Sequence, residues 1–319
     1  MMYKIFGKLK VALCAIILFV LVTSNASAQY DEQFTQYMYN EMFINPAYAG
    51  SHDFISSVLL YRNQWTGIEG APKTQTFSIH SPVKSKNIGV GLSVLNEKIG
   101  ITKLFTVNGT FAYKLPVTYN SILSFGLSGG VGRLQEDYSD LDCCGGATVD
   151  PLFLEDTPGK SVPRAGFGIY YSDSSNFYVG WSVPRLIESA IDPLSDNSVV
   201  SDVNMESWHH YIAAGYVFDL NQKIKLKPTI MIKTVHGSPV EFDLNINALL
   251  DKKIWVGSSY RTGDAIALLT SYQFTPKIRL GYSYDFNICN CTDLNIGSHE
   301  FTLGYDFIKD YGIKSIRYF

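Results

Sequence analysis

The sequence predicts an all-β fold: a transmembrane antiparallel β-barrel of about fourteen strands with a short periplasmic N-terminal segment. Three observations predict it. Short segments alternate between apolar and polar residues, a secretory leader precedes them, and the four longest connections between them all fall on the same side. Residues 277–287 show the alternation best. Ile278, Leu280, Tyr282, Tyr284 and Phe286 share one face, while Lys277, Arg279, Gly281, Ser283, Asp285 and Asn287 share the other. A tilted strand about ten residues long needs this pattern to face lipid outside and a polar lumen inside.

The elements follow in chain order. Lys4, Lys8 and Lys10 form a basic n-region, Val11–Val22 an apolar h-region, and Ala26-Ser27-Ala28 an A-x-A cleavage site, so residues 1–28 read as a signal peptide. A lipoprotein leader acylated at Cys14 is the rival reading. Bulky Leu13 and the apolar sequence beyond the cysteine argue against it. Residues 29–50 read as a periplasmic N-terminal segment and 51–319 as one outer-membrane barrel. Phe34, Tyr37, Met38 and Met42 have helical spacing, and Asn45-Pro46 ends the pattern. That stretch predicts a short amphipathic helix on the periplasmic rim or in the lumen, acting as packing, as a plug or as a partner contact.

Strands are predicted at 54–64, 74–82, 87–98, 103–115, 121–133, 164–172, 176–184, 208–219, 223–234, 239–250, 253–262, 265–274, 277–288 and 298–308. Val240, Phe242, Leu244 and Ile246 oppose Glu241, Asp243, Asn245 and Asn247; Phe301, Leu303, Tyr305 and Phe307 oppose Glu300, Thr302 and Asp306; Phe177, Val179, Trp181 and Val183 oppose Gly180 and Ser182. Glycine-rich 87–92 and 124–132 point to bends or close packing. Pro228 lacks a ladder donor, which predicts a bulge or local break there. An even strand number puts both termini on one side. With the termini periplasmic, the inner connections are all short and the four longest, 65–73, 134–163, 185–207 and 289–297, are all external. Lys225, Lys227, Arg261, Lys277 and Arg279, on the polar set of faces, are placed to fill the lumen or line a channel.

Composition narrows the function. The leader carries three lysines and no acid, so removing it from a chain with 26 basic and 29 acidic residues takes the net charge from −3 to −6. That balance gives no support to nucleic-acid binding. No run of 18 apolar residues follows residue 28. The six histidines lack metal-ligand spacing, and no G-x-S-x-G, H-E-x-x-H or phosphate-loop motif occurs. No catalytic, metal or cofactor-binding residue is assigned, and the acidic 134–163 loop reads as solvated. Cys143, Cys144, Cys289 and Cys291 fall in two external loops and are disulfide candidates. A bond between adjacent cysteines is strained, so the readings are cross-loop bonds over the barrel mouth, two local bonds, or free thiols.

Asp31-x-x-Phe34-Thr35-Gln36-Tyr37-Met38-Tyr39-Asn40 followed by Asn45-Pro46-Ala47-Tyr48-Ala49-Gly50 resembles the opening of the PorP/SprF family of Bacteroidota outer-membrane proteins. Arg62-Asn63-Gln64-Trp65-Thr66-Gly67 with Gly70-Ala71-Pro72-Lys73-Thr74-Gln75 is similar to its second block, and Asn87-Ile88-Gly89-Val90-Gly91-Leu92 with Asn96-Glu97-Lys98-Ile99-Gly100 to its third. The ending Arg317-Tyr318-Phe319 also fits. The resemblance implies a non-enzymatic component of the type IX secretion and gliding machinery. It also implies as partners periplasmic ring components and the C-terminal signal domains of secreted adhesins. It implies no cofactor and no catalytic residue. On this reading the outer loops dock cargo and the periplasmic rim docks the ring. Phe34, Tyr37 and Met38 become candidate contacts; Arg62, Gln64 and Trp65 become candidates to order the 65–73 loop, Trp65 equally a girdle aromatic. A passive pore for small solutes is the alternative.

Overall fold

The computed structural model describes residues 32–83, 87–138, 159–173, 176–192, 198–288 and 297–308. The leader and all four candidate disulfide cysteines lie outside the described residues. Among the described residues there are seventeen strands: β1 (Ile55–Asn63), β2 (Lys73–Pro82), β3 (Ile88–Ile99), β4 (Thr102–Pro116), β5 (Ser121–Glu136), β6 (Lys160–Asp173), β7 (Phe177–Val183), β8 (Glu188–Asp192), β9 (Ser198–Asp202), β10 (His210–Tyr216), β11 (Phe218–Asp219), β12 (Ile224–Thr234), β13 (Glu241–Leu250), β14 (Ile254–Arg261), β15 (Ala265–Thr275), β16 (Ile278–Asn287) and β17 (Ser298–Phe307). Successive strands pair antiparallel, β7 skips to β10, and β17 returns to β1, so the sheet closes. With β10 and β11 counted as one interrupted stave, fourteen strands make the wall. Each has a counterpart among those predicted.

The wall is polar inside and apolar outside, the reverse of a soluble protein. Leu127 and Leu268 are 60% and 55% exposed, while Asp243 and Glu300 are 1% and 0% exposed. A continuous apolar surface of this extent suits hydrocarbon. Val183, predicted to face outward, is instead buried beside the connection that follows β7. One end of the barrel carries the turns leaving β2, β4, β6, β11, β13 and β15; the other carries the longer connections. These are the short-turn end and the long-loop end below. The 185–207 connection, predicted as loop, contains the β8–β9 hairpin, and Val199 packs against Leu95, Leu104, Leu134 and Val162 in the long-loop half of the lumen.

Pro228 leaves β12 itself unbroken, with Pro228 opposite Ile246 in a continuous ladder to β13. The interruption falls on the neighbouring stave. Pairing with β12 stops at Gly215–Thr229 and resumes at Phe218–Leu226, and the Val217 amide donates to Asn176 O instead (2.8 Å). A proline has no N–H to offer, so the strand facing it loses the ladder bond.

Of the placements the sequence left open for the N-terminal segment, the described part takes the lumen, but not as one helix. Residues 32–50 run through the lumen as three separate turns: 3-10 at Tyr37–Tyr39, α at Glu41–Ile44 and 3-10 at Pro46–Tyr48. Isolated helices this short are marginal, and lumen side chains take the backbone bonds a continuous helix would make internally. A barrel of eight strands is filled by its own side chains, but one of fourteen leaves a wider interior. The segment fills it as a plug.

Candidate functional site

Strand alternation carries Ser56, Val58, Leu60 and Arg62 into the lumen on β1. The same rule turns Ser283 and Asp285 inward on β16, Ser298, Glu300 and Thr302 on β17, Asp243 and Asn245 on β13, and Ser259 and Arg261 on β14. At the long-loop end these side chains form a clamp on the plug. Arg62 Nη2 donates to Asp285 Oδ2 (2.7 Å), and Nη1 donates to Glu300 Oε2 (3.1 Å) and to Thr35 Oγ1 (2.9 Å). The Thr35 hydroxyl in turn donates to Asp285 (2.8 Å). Glu300 accepts the backbone N–H groups of Thr35 (2.9 Å) and Gln36 (2.7 Å). Beside it Arg261 pairs with Asp243 (3.1 Å) and Asp264 (3.0 Å).

These charges are almost completely removed from solvent, so desolvation offsets much of their attraction. Their worth lies in geometry: Asp285, Glu300 and Asp243 are each met by a guanidinium and by a plug donor or a wall hydroxyl. The clamp thus recognises two consecutive plug residues through their backbone as well as through a side chain.

Deeper contacts continue toward the short-turn end. Tyr37 OH meets Thr229 Oγ1 and accepts from Asn245 Nδ2, both at 3.1 Å. Asn40 donates to Thr76 Oγ1 (3.1 Å) and accepts from Ser78 (2.6 Å). Asn45 caps the Pro46–Tyr48 turn by accepting from Ala47 N (2.9 Å) while donating to Ile169 O (3.0 Å). At the short-turn end Gly50 N donates to His80 Nδ1 (3.2 Å), and Lys114 Nζ donates to Gly50 O. The plug therefore threads the lumen, with Gln33 at the level of Glu241 and Arg261 near the long-loop end and Gly50 near the start of β1.

The sequence-predicted residues divide accordingly. Phe34, Tyr37 and Met38 are buried together against Leu60, Tyr211, Met231 and Leu269 of the wall, so their spacing marks packing inside the lumen. The inward register of Arg62 on β1 commits its guanidinium to the plug. The 65–73 loop is held by main-chain bonds, from Gln64 N to Pro72 O (3.0 Å) and from Thr66 N to Gly297 O (2.8 Å), while Trp65 takes a left-handed conformation with its N–H on Ser298 Oγ (3.0 Å). The sequence shows Glu300 and Asp285 only as members of polar strand faces and Thr35 only as part of the first family-like block, and nothing in it joins them into a site. Among the described residues no group of three or more His, Cys, Asp or Glu side chains gathers to hold a metal.

Three comparisons place the chain among known proteins. No curated protein matches it. Among solved structures it is similar to the outer membrane protein Omp33 of Acinetobacter baumannii, at 12% identity with 80% of this chain and 98% of that chain covered and a TM-score of 0.48. It is similar also to the toluene transporter TbuX of Ralstonia pickettii, at 9% identity with 83% and 92% covered and a TM-score of 0.49. The family model described as "Type IX secretion system membrane protein PorP/SprF" matches residues 26–305. The chain belongs to the PorP/SprF family of type IX secretion system membrane proteins.

Proposed function

We propose that this chain is a non-enzymatic outer-membrane component of the type IX secretion and gliding machinery, a sealed barrel that supports export or surface anchoring of adhesin-type cargo. One observation carries the reading over that of a passive pore: the 32–50 segment occupies the lumen from one end to the other and is clamped by buried charges. A solute pore needs an aqueous path where the plug sits. Family and fold are those of secretion- and transport-type membrane proteins, and the reading assigns no catalytic residue. In it the long-loop end faces outward and receives C-terminal signal domains of adhesins. The short-turn end faces the periplasmic ring. The chain reaches the outer membrane by Sec export, after loss of the leader.

The test has two arms. In planar bilayers the intact protein gives little conductance, and a variant lacking residues 32–50 gives step-like openings. In cells, loss of the protein removes the surface adhesin while small-solute uptake is unchanged. Steady conductance by the intact protein together with a solute-uptake defect on deletion would instead establish the pore.

A further inference from the structure

Beside residues 38–48 of the plug the lumen leaves a cavity of about 570 Å³. It opens at the short-turn end, where Lys252 in the β13–β14 turn and Lys277 in the β15–β16 turn form part of its rim. The plug closes it above, through Met38, Tyr39, Glu41 and Met42. Its volume lies in the range of small-molecule sites, and its mostly apolar surface is interrupted by many polar side chains, among them Lys227, Asp306 and Glu41.

The polar groups are unusual. The Arg279 guanidinium lies over the Tyr39 ring, 4.5 Å from its centroid, and among the described residues it makes no ion pair or hydrogen bond. Lys252 and Lys277 likewise have no ion pair among the described residues. In the same barrel Arg62 and Arg261 are each matched by carboxylates within about 3 Å. A guanidinium held against an aromatic ring with no carboxylate within ion-pair distance among the described residues, in a cavity that Asp306 also lines and that has two lysines at its mouth, is arranged for an anion from outside the chain. Glu41 adds a second polar feature. Its residue is 7% exposed, its Oε2 accepts from Tyr170 OH (3.2 Å), and its Oε1 has no hydrogen-bond partner.

We propose that this cavity is a binding site for a small amphiphilic organic anion, with its carboxylate on Arg279 and the rim lysines and its apolar body against Met38, Met42 and Leu249. The site is blind, because the plug separates it from the long-loop end. The ligand enters and leaves by the short-turn mouth.

The probe is 4-phenylbutyrate, compared with the isosteric 4-phenylbutyramide and with 4-phenylbutylamine. Each is titrated calorimetrically into the full-length barrel in lipid nanodiscs, with empty nanodiscs as blank. The carboxylate is expected to bind at least about tenfold more tightly than the amide, and the amine not at all. Arg279→Gln is expected to remove that preference. Acetylation of Lys252 and Lys277 in the unmodified protein gives a readout independent of any variant's folding: phenylbutyrate slows it at both sites and the amide does not. Equal binding of acid and amide, or acid binding that leaves lysine acetylation unchanged, would overturn the proposal.

Discussion

Arg62 concentrates the residue-scale logic. It is 1% exposed and joins three partners, Asp285, Glu300 and Thr35. Truncating one member of such a cluster strands the others' charges without water. Arg62→Leu is therefore expected to destabilise the protein by about 3–5 kcal/mol, read as a lower denaturation midpoint in detergent micelles. Arg62→Lys recovers part of this, because one ammonium cannot serve both carboxylates and the hydroxyl in the fork geometry of a guanidinium. An unchanged midpoint in Arg62→Leu would mean that the clamp does not hold the plug. The sequence made the polar character of this face legible: Asp285, Asp243 and Glu300 all stand opposite apolar neighbours. It could not display the constellation. Arg62 is 223 residues from Asp285 and 238 from Glu300, and only closure of β1 on β17 brings them together.

At the scale of elements, alternation was decisive wherever one face meets lipid, which is why the fourteen staves were legible. It failed where neither face does. The plug's apolar residues touch lumen walls on several sides, so a helical spacing described its packing without describing its backbone. Glycine-rich strands carried a truer signal. Part of their close packing is against the plug: a methyl group at Gly126 would overlap the Ala47 backbone, and one at Gly89 would overlap the Ala49 carbonyl. Gly129, three residues along β5, faces open space. Gly126→Ala is expected to cost about 1–3 kcal/mol as overpacking. Gly129→Ala on the same strand is expected to be neutral or to stabilise by up to about 1 kcal/mol. Denaturation midpoints of the pair separate a plug contact from a mere strand preference; equal losses would mean that the backbone, not the plug, requires the glycine.

For the whole molecule, the three sequence blocks that resemble the family become one device: Thr35 and Gln36 from the first, Arg62 from the second, and Gly89 and Gly91 from the third, against Ala49 and Met42. Because β1 starts at the short-turn end, the described plug, from Glu32 and Gln33 beside Arg261 to Gly50, crosses the lumen from the long-loop end to the short-turn end. Two chain directions are thus opposed, plug downward and β1 upward, with Gly50 near the reversal in a left-handed conformation, φ +69°, against Gly89. If the long loops face outward, residue 32 lies on the outer side of the membrane although β1 begins on the inner side. A cysteine replacing Glu32, in a background with all five native cysteines changed to serine, is then expected to react with a membrane-impermeant maleimide on intact cells. One replacing Tyr119, fully exposed in the turn between β4 and β5, reacts only after the outer membrane is permeabilised. The reverse pattern would invert the barrel and move cargo docking to the short-turn end. Reaction of both on intact cells would mean that the lumen is open to reagent, against a plug clamped along its length.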